Sequence, residues 1–295
     1  MQQKLPLSFP KDIDSNVGIV NVATVPKRSP FRYPGGKTWL IPEIRKWLGQ
    51  GKNKPHLFID IFAGGGIVGL TVAAEQLSDH TFLVEIDPDV SAVWKTVLSD
   101  DAHWLVEKII TCPMSLPFIA EVLSSSPKNT TERAFQTILR NRTSHGGILA
   151  PGAGLLKYGE NGKGILSRWY PVTLAKRIEE IWKMRERISF FQADAFDIMK
   201  QYSGRDDTTF FIDPPYTAPG KSAGRRLYVY NEIDHEALFD AASGFQGDFM
   251  MTYDDTEAVK KMALKRGFTV RAIPMKNTHH AKMLELLIGP PKHVL

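Results

Sequence analysis

The sequence predicts an α/β fold in which a doubly wound parallel sheet is interrupted by an inserted, mainly helical lobe. Three observations carry this expectation. Two strand–helix units follow one another directly, LFIDIF–AGGG–IVGLTVAAEQL over 57–77 and TFLVEID–PDVSAVWKTVL over 81–98. Strand patterning is then missing across 99–187. It returns in ISFFQ (188–192), TTFFID (208–213), DFMMTYD (248–254) and MLELLIG (283–289), with helix-like segments at 235–245 and 256–268 between them.

In chain order, residues 1–30 carry several prolines and no hydrophobic period, and read as an N-terminal extension. FRYPGGK (31–37) is a Pro-Gly turn ahead of a helix. The apolar run 57–62 holds one carboxylate, as expected of a strand buried on both faces. Pro88 is suited to the first turn of the second helix. The stretch 99–187 contains helical segments, the polar tract SSSPKNTTER (124–133) and the glycine-rich tract 145–164. It closes on LAKRIEEIWKMRERI (174–188), which places Ile178, Ile181, Trp182 and Arg185 on one helical face. The division expected is 1–30 as extension, 31–98 with 188–295 as one domain, and 99–187 as the inserted one.

Composition narrows the class. With 43% hydrophobic and 23% charged residues, the 295-residue chain can build a sizeable core plus a second lobe. Lys and Arg outnumber Asp and Glu by 37 to 32, a net charge of +5 that suits a polyanionic partner. Cys112 is the only cysteine, which excludes an internal disulfide and a thiolate metal cluster. No apolar run reaches membrane-spanning length, and the first residues lack the core of a signal peptide. The expectation is a cytoplasmic protein that needs no metal; His279 and His280 have no carboxylate-rich surroundings to suggest ligation.

Three motifs carry chemistry. The glycine turn AGGG (63–66), between a strand and a helix, lets backbone approach a ligand closely. Its spacing is not the GxGxxG of dinucleotide sites, which disfavours a dehydrogenase. Glu85 and Asp87, at the end of the next strand, can accept hydrogen bonds from ribose hydroxyls. Asp213-Pro214-Pro215-Tyr216 follows an apolar strand. Its prolines fix a rigid turn and remove two amide donors, leaving the Asp213 carboxylate and the Pro214 carbonyl as acceptors beside an aromatic ring. That arrangement suits a flat molecule bearing an amino group.

With FRYPGGK, FIDIFAGGG, LVEID, ADAFD and FIDPPY in this order, the chain resembles the Dam-type (alpha-group, DPPY) DNA adenine-N6 methyltransferases over roughly residues 31–290. The resemblance implies a Rossmann-like S-adenosylmethionine-dependent sheet with 99–187 as its target-recognition lobe. It assigns cofactor contacts to Tyr33 and Lys37, to Phe62, Gly64 and Gly66 of the turn, to Glu85 rather than Asp87, and to Asp194 and Asp213. It assigns the target amino group to Asp213, Pro214, Pro215 and Tyr216. In NRTSHGGI (141–148), His145-Gly146 stands where Phe-Asn is more usual in the family.

The expected partner is double-stranded DNA, with a cognate restriction endonuclease as a further candidate, and the target base must be flipped out to reach such a pocket. Candidate DNA contacts are Arg140, Arg142, His145 and Lys157 in the insert, with Lys128 as a further one. In the loop after the DPPY motif they are Lys221, Arg225, Arg226 and Tyr230. Rival expectations are a cytosine-N4 methyltransferase, toward which Ser rather than Asp at the first motif position would lean, and a catalytically silent DNA-binding protein of the same fold. RNA and protein-glutamine methyltransferases lack the large insert before the motif.

Overall fold

Parallel strands covered on both faces must be apolar throughout, and the strand sequences meet that demand. In the computed structural model, which describes residues 24–32, 36–50, 54–150, 153–159, 162–215, 233–276 and 282–291, the strands β1 (Leu57–Asp60) and β4 (Thr208–Ile212) are buried at every position. They lie side by side at the centre of a seven-stranded sheet. The other strands are β2 (His80–Glu85), β3 (Ile188–Gln192), β5 (Asp248–Asp254), β6 (Thr269–Lys276) and β7 (Lys282–Gly289), and the order is β3-β2-β1-β4-β5-β7-β6. The pairs β1–β2, β2–β3, β1–β4 and β4–β5 are parallel, whereas β7 runs antiparallel to both β5 and β6.

The sheet is therefore mixed, not wholly parallel as the sequence suggested. Strand β6 was not anticipated either. It carries Arg271 and Pro274 and lies at the sheet edge, where proline is tolerated and apolar alternation is not required.

Alternation along the strands sends side chains to two faces. Leu57, Ile59, Phe210, Ile212, Phe249 and Met251 face one core, covered by α8 (Ala195–Tyr202), α9 (His235–Ser243) and α10 (Glu257–Lys265). Phe58, Phe211 and Met250 face the other, covered by α1 (Ile41–Gln50) and α2 (Ile67–Ala74). The indole N–H of Trp47 on α1 donates to Asp248 at 2.8 Å, tying that layer to β5.

The described part of 99–187 forms helices and turns, with one isolated bridge between Ser144 and Leu155. Its α-helices are α4 (Ala102–Ile110), α5 (Leu116–Ser124), α6 (Thr130–Thr143) and α7 (Pro171–Lys183). Asn129 caps α6 through the Glu132 amide, while the Glu132 carboxylate accepts from the amide of Lys128, the residue before the cap. The insert shares a core with the sheet. Leu83 of β2 and Trp94 of α3 (Pro88–Val97) belong to the same buried cluster as Ile138 of α6 and Ile178 of α7. The end of the N-terminal extension joins it: the Arg142 guanidinium bonds the Pro30 carbonyl, and Arg177 donates to the Ser29 carbonyl at 3.2 Å.

Candidate active site

Strands β1, β2 and β3 progress one way from the centre of the sheet, and β4 and β5 the other. The reversal falls between β1 and β4, where an open α/β sheet leaves a crevice at the carboxyl ends of its strands. A cavity of about 700 Å³ lies there. Asp60 from β1, Glu85 from β2, Asp194 after β3 and Asp213 after β4 all line it, together with Phe62 and the glycine turn.

The turn is held from several sides. The Gly64 amide donates to Glu85 Oε2 at 3.1 Å, and the Gly64 carbonyl accepts from the Trp94 indole at 3.0 Å. Gly66 has φ 65°, and a Cβ added there would sit 2.7 Å from Trp94 Cζ2. A side chain therefore meets both left-handed strain and an occupied space. Gly66→Ala is expected to destabilise the fold by on the order of 2 kcal/mol or more, read as a lower urea midpoint, with weaker cofactor binding by calorimetry.

Asp60, not singled out in the sequence, is 3% exposed. Its carboxylate accepts from the Gly69 amide at 3.0 Å, satisfying one of the N–H groups left open at the start of α2. Burial pushes its pKa from 3.8 up to about 7, against the Gly69 hydrogen bond, and the charges of Asp213 and Glu85 add to the rise. Burial also pushes Glu85 from 4.5 up to about 7, although the Asp87, Ile86 and Gly64 amides all donate to it. Both folded-state values lie above the unfolded ones. Their contribution to stability is therefore full below about pH 4 and is lost as the pH rises through 7. The urea midpoint of ligand-free Asp60→Asn should gain on wild type as the pH is raised from 6 to 8; a constant difference would contradict the buried, proton-binding Asp60.

At the end of β4, two donors converge on one oxygen of Asp213. Thr252 Oγ1 donates to Oδ1 at 2.7 Å and Lys37 Nζ at 3.0 Å. Lys37 also meets Glu285 Oε1 at 2.9 Å; the lysine and glutamate side chains are 7% and 4% exposed. Thr252 and Glu285 lie on neighbouring strands β5 and β7. Neither was anticipated, because their role arises only from sheet pairing. Lys37, expected at the cofactor, lines the cavity and sits between two carboxylates, where it braces Asp213. Pro214 and Pro215 line the cavity beside them.

The remaining expected residues are placed as follows. Asp194 caps α8 through the Phe196 amide at 2.8 Å and borders the cavity. Asp87, the alternative to Glu85, caps α3 through the Asp89 and Val90 amides. Arg140 pairs with Asp89 at 3.4 Å, joining α6 to α3. Arg142, a candidate DNA contact, is 4% exposed and lines the cavity. His145 and Lys157 are exposed beside the Ser144–Leu155 bridge and do not line the cavity. Tyr33, Tyr216, Lys221, Arg225, Arg226 and Tyr230 lie outside the described residues. Asn141, also unanticipated, is fully buried and binds both the amide and the carbonyl of Arg32, at 2.8 and 2.9 Å.

Residues 33–137 match the sequence model of the D12 class N6 adenine-specific DNA methyltransferase family. Over this segment the chain is similar to that family, and the match supports an S-adenosylmethionine-dependent methyltransferase. The match ends before Asp213. A search of curated proteins finds no match. Solved structures similar to the methyltransferase include a candidate RNA methyltransferase from Pyrococcus horikoshii, at 10% identity and TM-score 0.40, with 88% of this chain and 84% of that one covered. An rRNA methyltransferase from Streptomyces viridochromogenes is 14% identical at TM-score 0.38, covering 88% and 86%. An S-adenosylmethionine-dependent methyltransferase from Agrobacterium tumefaciens is 9% identical at TM-score 0.37; there the alignment covers 85% of this chain but 61% of the other.

The cavity fits the methyltransferase's cofactor. Its volume of about 700 Å³ is ample for a nucleoside joined to an amino acid. Its carboxylates suit a ligand carrying a sulfonium and an ammonium group, and the backbone of the glycine turn is open to close approach. Among the described residues, no group of three His, Cys, Asp or Glu could hold a metal, and no helix is long and apolar enough to cross a membrane.

Proposed function

We propose that this methyltransferase acts on adenine N6 in DNA, with the target base turned out of the duplex into the crevice beside Asp213. The observation that carries this reading is the state of the Asp213 carboxylate. Both of its donors hold Oδ1, and Oδ2 accepts no hydrogen bond among the described residues, while the residue lines the cavity. Oδ2 and the Pro214 carbonyl are two acceptors for the two hydrogens of an amino group. The family match over 33–137 supports adenine as its bearer.

S-adenosylmethionine, when bound, supplies a methyl group on a positively charged sulfur. In this reading Phe62, Gly64, Gly66, Glu85 and Asp194 hold it against the carboxyl ends of β1 to β3. The amino nitrogen of adenine is a poor nucleophile because its lone pair is delocalised into the ring. Acceptors on both of its hydrogens favour a pyramidal nitrogen with a localised pair. As the nitrogen attacks, positive charge grows on it, and the group formed by Asp213, Lys37 and Glu285 presents a net charge of about −1 to stabilise it. Because Thr252 and Lys37 fix Oδ1, that stabilisation needs no reorganisation. After transfer the nitrogen is cationic and acidic, so the weakly basic Oδ2 suffices to take its proton. The stretch 99–187 would serve as the recognition lobe, with 31–98 and 188–295 as the catalytic domain.

The test is to incubate the protein with S-adenosylmethionine and unmethylated plasmid, digest to nucleosides and identify the products by mass spectrometry. N6-methyladenine is the expected product. N4-methylcytosine would overturn the choice of base, and no methylated nucleoside despite cofactor binding would overturn DNA as the substrate.

A further inference from the structure

Residues 25–32 form a strap along one wall of the cavity and belong to no strand or helix. Lys27, Ser29, Phe31 and Arg32 of the strap line the cavity. A segment outside any ladder must find partners for its backbone groups elsewhere, and side chains of the insert supply them. The Arg142 guanidinium bonds the Pro30 carbonyl, and Arg177 donates to the Ser29 carbonyl at 3.2 Å. Asn141, fully buried near the end of α6, makes the most specific contact. Its Oδ1 accepts from the Arg32 amide at 2.8 Å. Its Nδ2 donates to the Arg32 carbonyl at 2.9 Å and to the Gly147 carbonyl at 2.7 Å. A primary amide offers an acceptor oxygen and two N–H donors, so both ends of the side chain are engaged. Gly147 presses on the same residue: its φ is 76°, and a Cβ added there would stand 2.3 Å from the Arg32 carbonyl oxygen.

The strap also reaches the glycine turn. The Phe31 and Trp94 rings lie 5.9 Å apart between centroids, and the Trp94 indole donates to the Gly64 carbonyl. The strap thus stands between that turn and the end of α6. We propose that Asn141 is a positioning residue for the cofactor: acting from the insert, it fixes the Arg32 backbone and with it the wall against which S-adenosylmethionine sits. The inference rests on the reading that the cavity holds this cofactor. Truncating Asn141 removes a partner from the buried Arg32 amide and from two carbonyls. Those groups must then seek other partners, and the strap shifts to reach them.

Calorimetry with S-adenosylmethionine tests the role, and does so whether or not DNA is the substrate. Asn141→Ala should bind the cofactor about tenfold more weakly than wild type. Raising the cofactor concentration should restore its rate on plasmid DNA to near the wild-type level, so that KM rises and kcat holds. A variant that is merely less stable loses kcat instead, through its smaller folded fraction. Gly147→Ala, which pushes on the same Arg32 carbonyl, should weaken cofactor binding in the same sense. Ile109→Ala, at a fully buried position of α4 that does not line the cavity, should lower the urea midpoint and leave cofactor affinity unchanged. The wild type provides a measurement that no misfolded variant can spoil. S-adenosylmethionine should slow hydrogen exchange both in a peptide covering 25–32 and in one covering 139–147. Wild-type affinity in a folded Asn141→Ala, an equal loss of affinity in Ile109→Ala, or protection missing from either peptide would each overturn the positioning role alone. A wild type that binds no S-adenosylmethionine would overturn the cofactor reading, and the role with it.

Discussion

Asp213→Asn should transfer methyl groups on the order of 10²–10³-fold more slowly than wild type in single-turnover assays, with near-normal folding and cofactor affinity. The geometry sets this outcome. Thr252 and Lys37 both donate to Oδ1, at 2.7 and 3.0 Å. An asparagine therefore keeps its carbonyl oxygen on those donors and turns its NH₂ to where Oδ2 was. A donor then faces a donor, the amino group of the target loses an acceptor, and the negative charge that offsets the developing cation is gone. An unchanged KM beside the lower kcat would place the loss in the transition state. A variant within a few-fold of wild type would remove Asp213 from the reaction.

The second large effect is on both stability and rate. Lys37 is 6% exposed and lies between Asp213 and Glu285. Lys37→Met leaves two carboxylates facing one another with their shared cation removed. Breaking buried ion pairs by deleting one partner typically costs about 3–5 kcal/mol, and a loss of that size is expected in urea unfolding at pH 7. Because the uncompensated charge dominates the cost, Lys37→Met/Glu285→Gln should be more stable than Lys37→Met. Equal stability of the two would show that Glu285 does not act through the lysine. The rate should fall in both, since Asp213 loses the donor that fixes its Oδ1.

These effects were only partly legible in the sequence. A buried parallel strand, a glycine turn and a helix make a local pattern, so β1 to α2 and β2 to α3 could be read from consecutive residues. The rigid DPP turn after an apolar strand was equally local. Edge strand β6 escaped because Pro274 and Arg271 break the apolar pattern that marks a buried strand, and an edge does not need it. Asp60 escaped because one carboxylate in an apolar run does not reveal that it caps a helix nine residues on.

By itself, the sequence determined the α/β class, the stretch without named strands between α3 and β3, and the strand-end order of glycine turn, acid and DPP motif. Each depends on residues within a turn or two of one another, where backbone geometry is dictated by local side chains. The tertiary structure alone decided that Lys37 braces Asp213 rather than standing free. It alone brought Glu285 and Thr252 to that pair through β7 and β5. It alone turned Arg142 from a surface charge into a buried residue of the cavity wall. Those partners are up to 248 positions apart in the chain, as with Glu43 and Arg271 on the sheet's flank. Their meeting depends on strand order and helix packing, which the long-range hydrophobic core sets and no local pattern encodes.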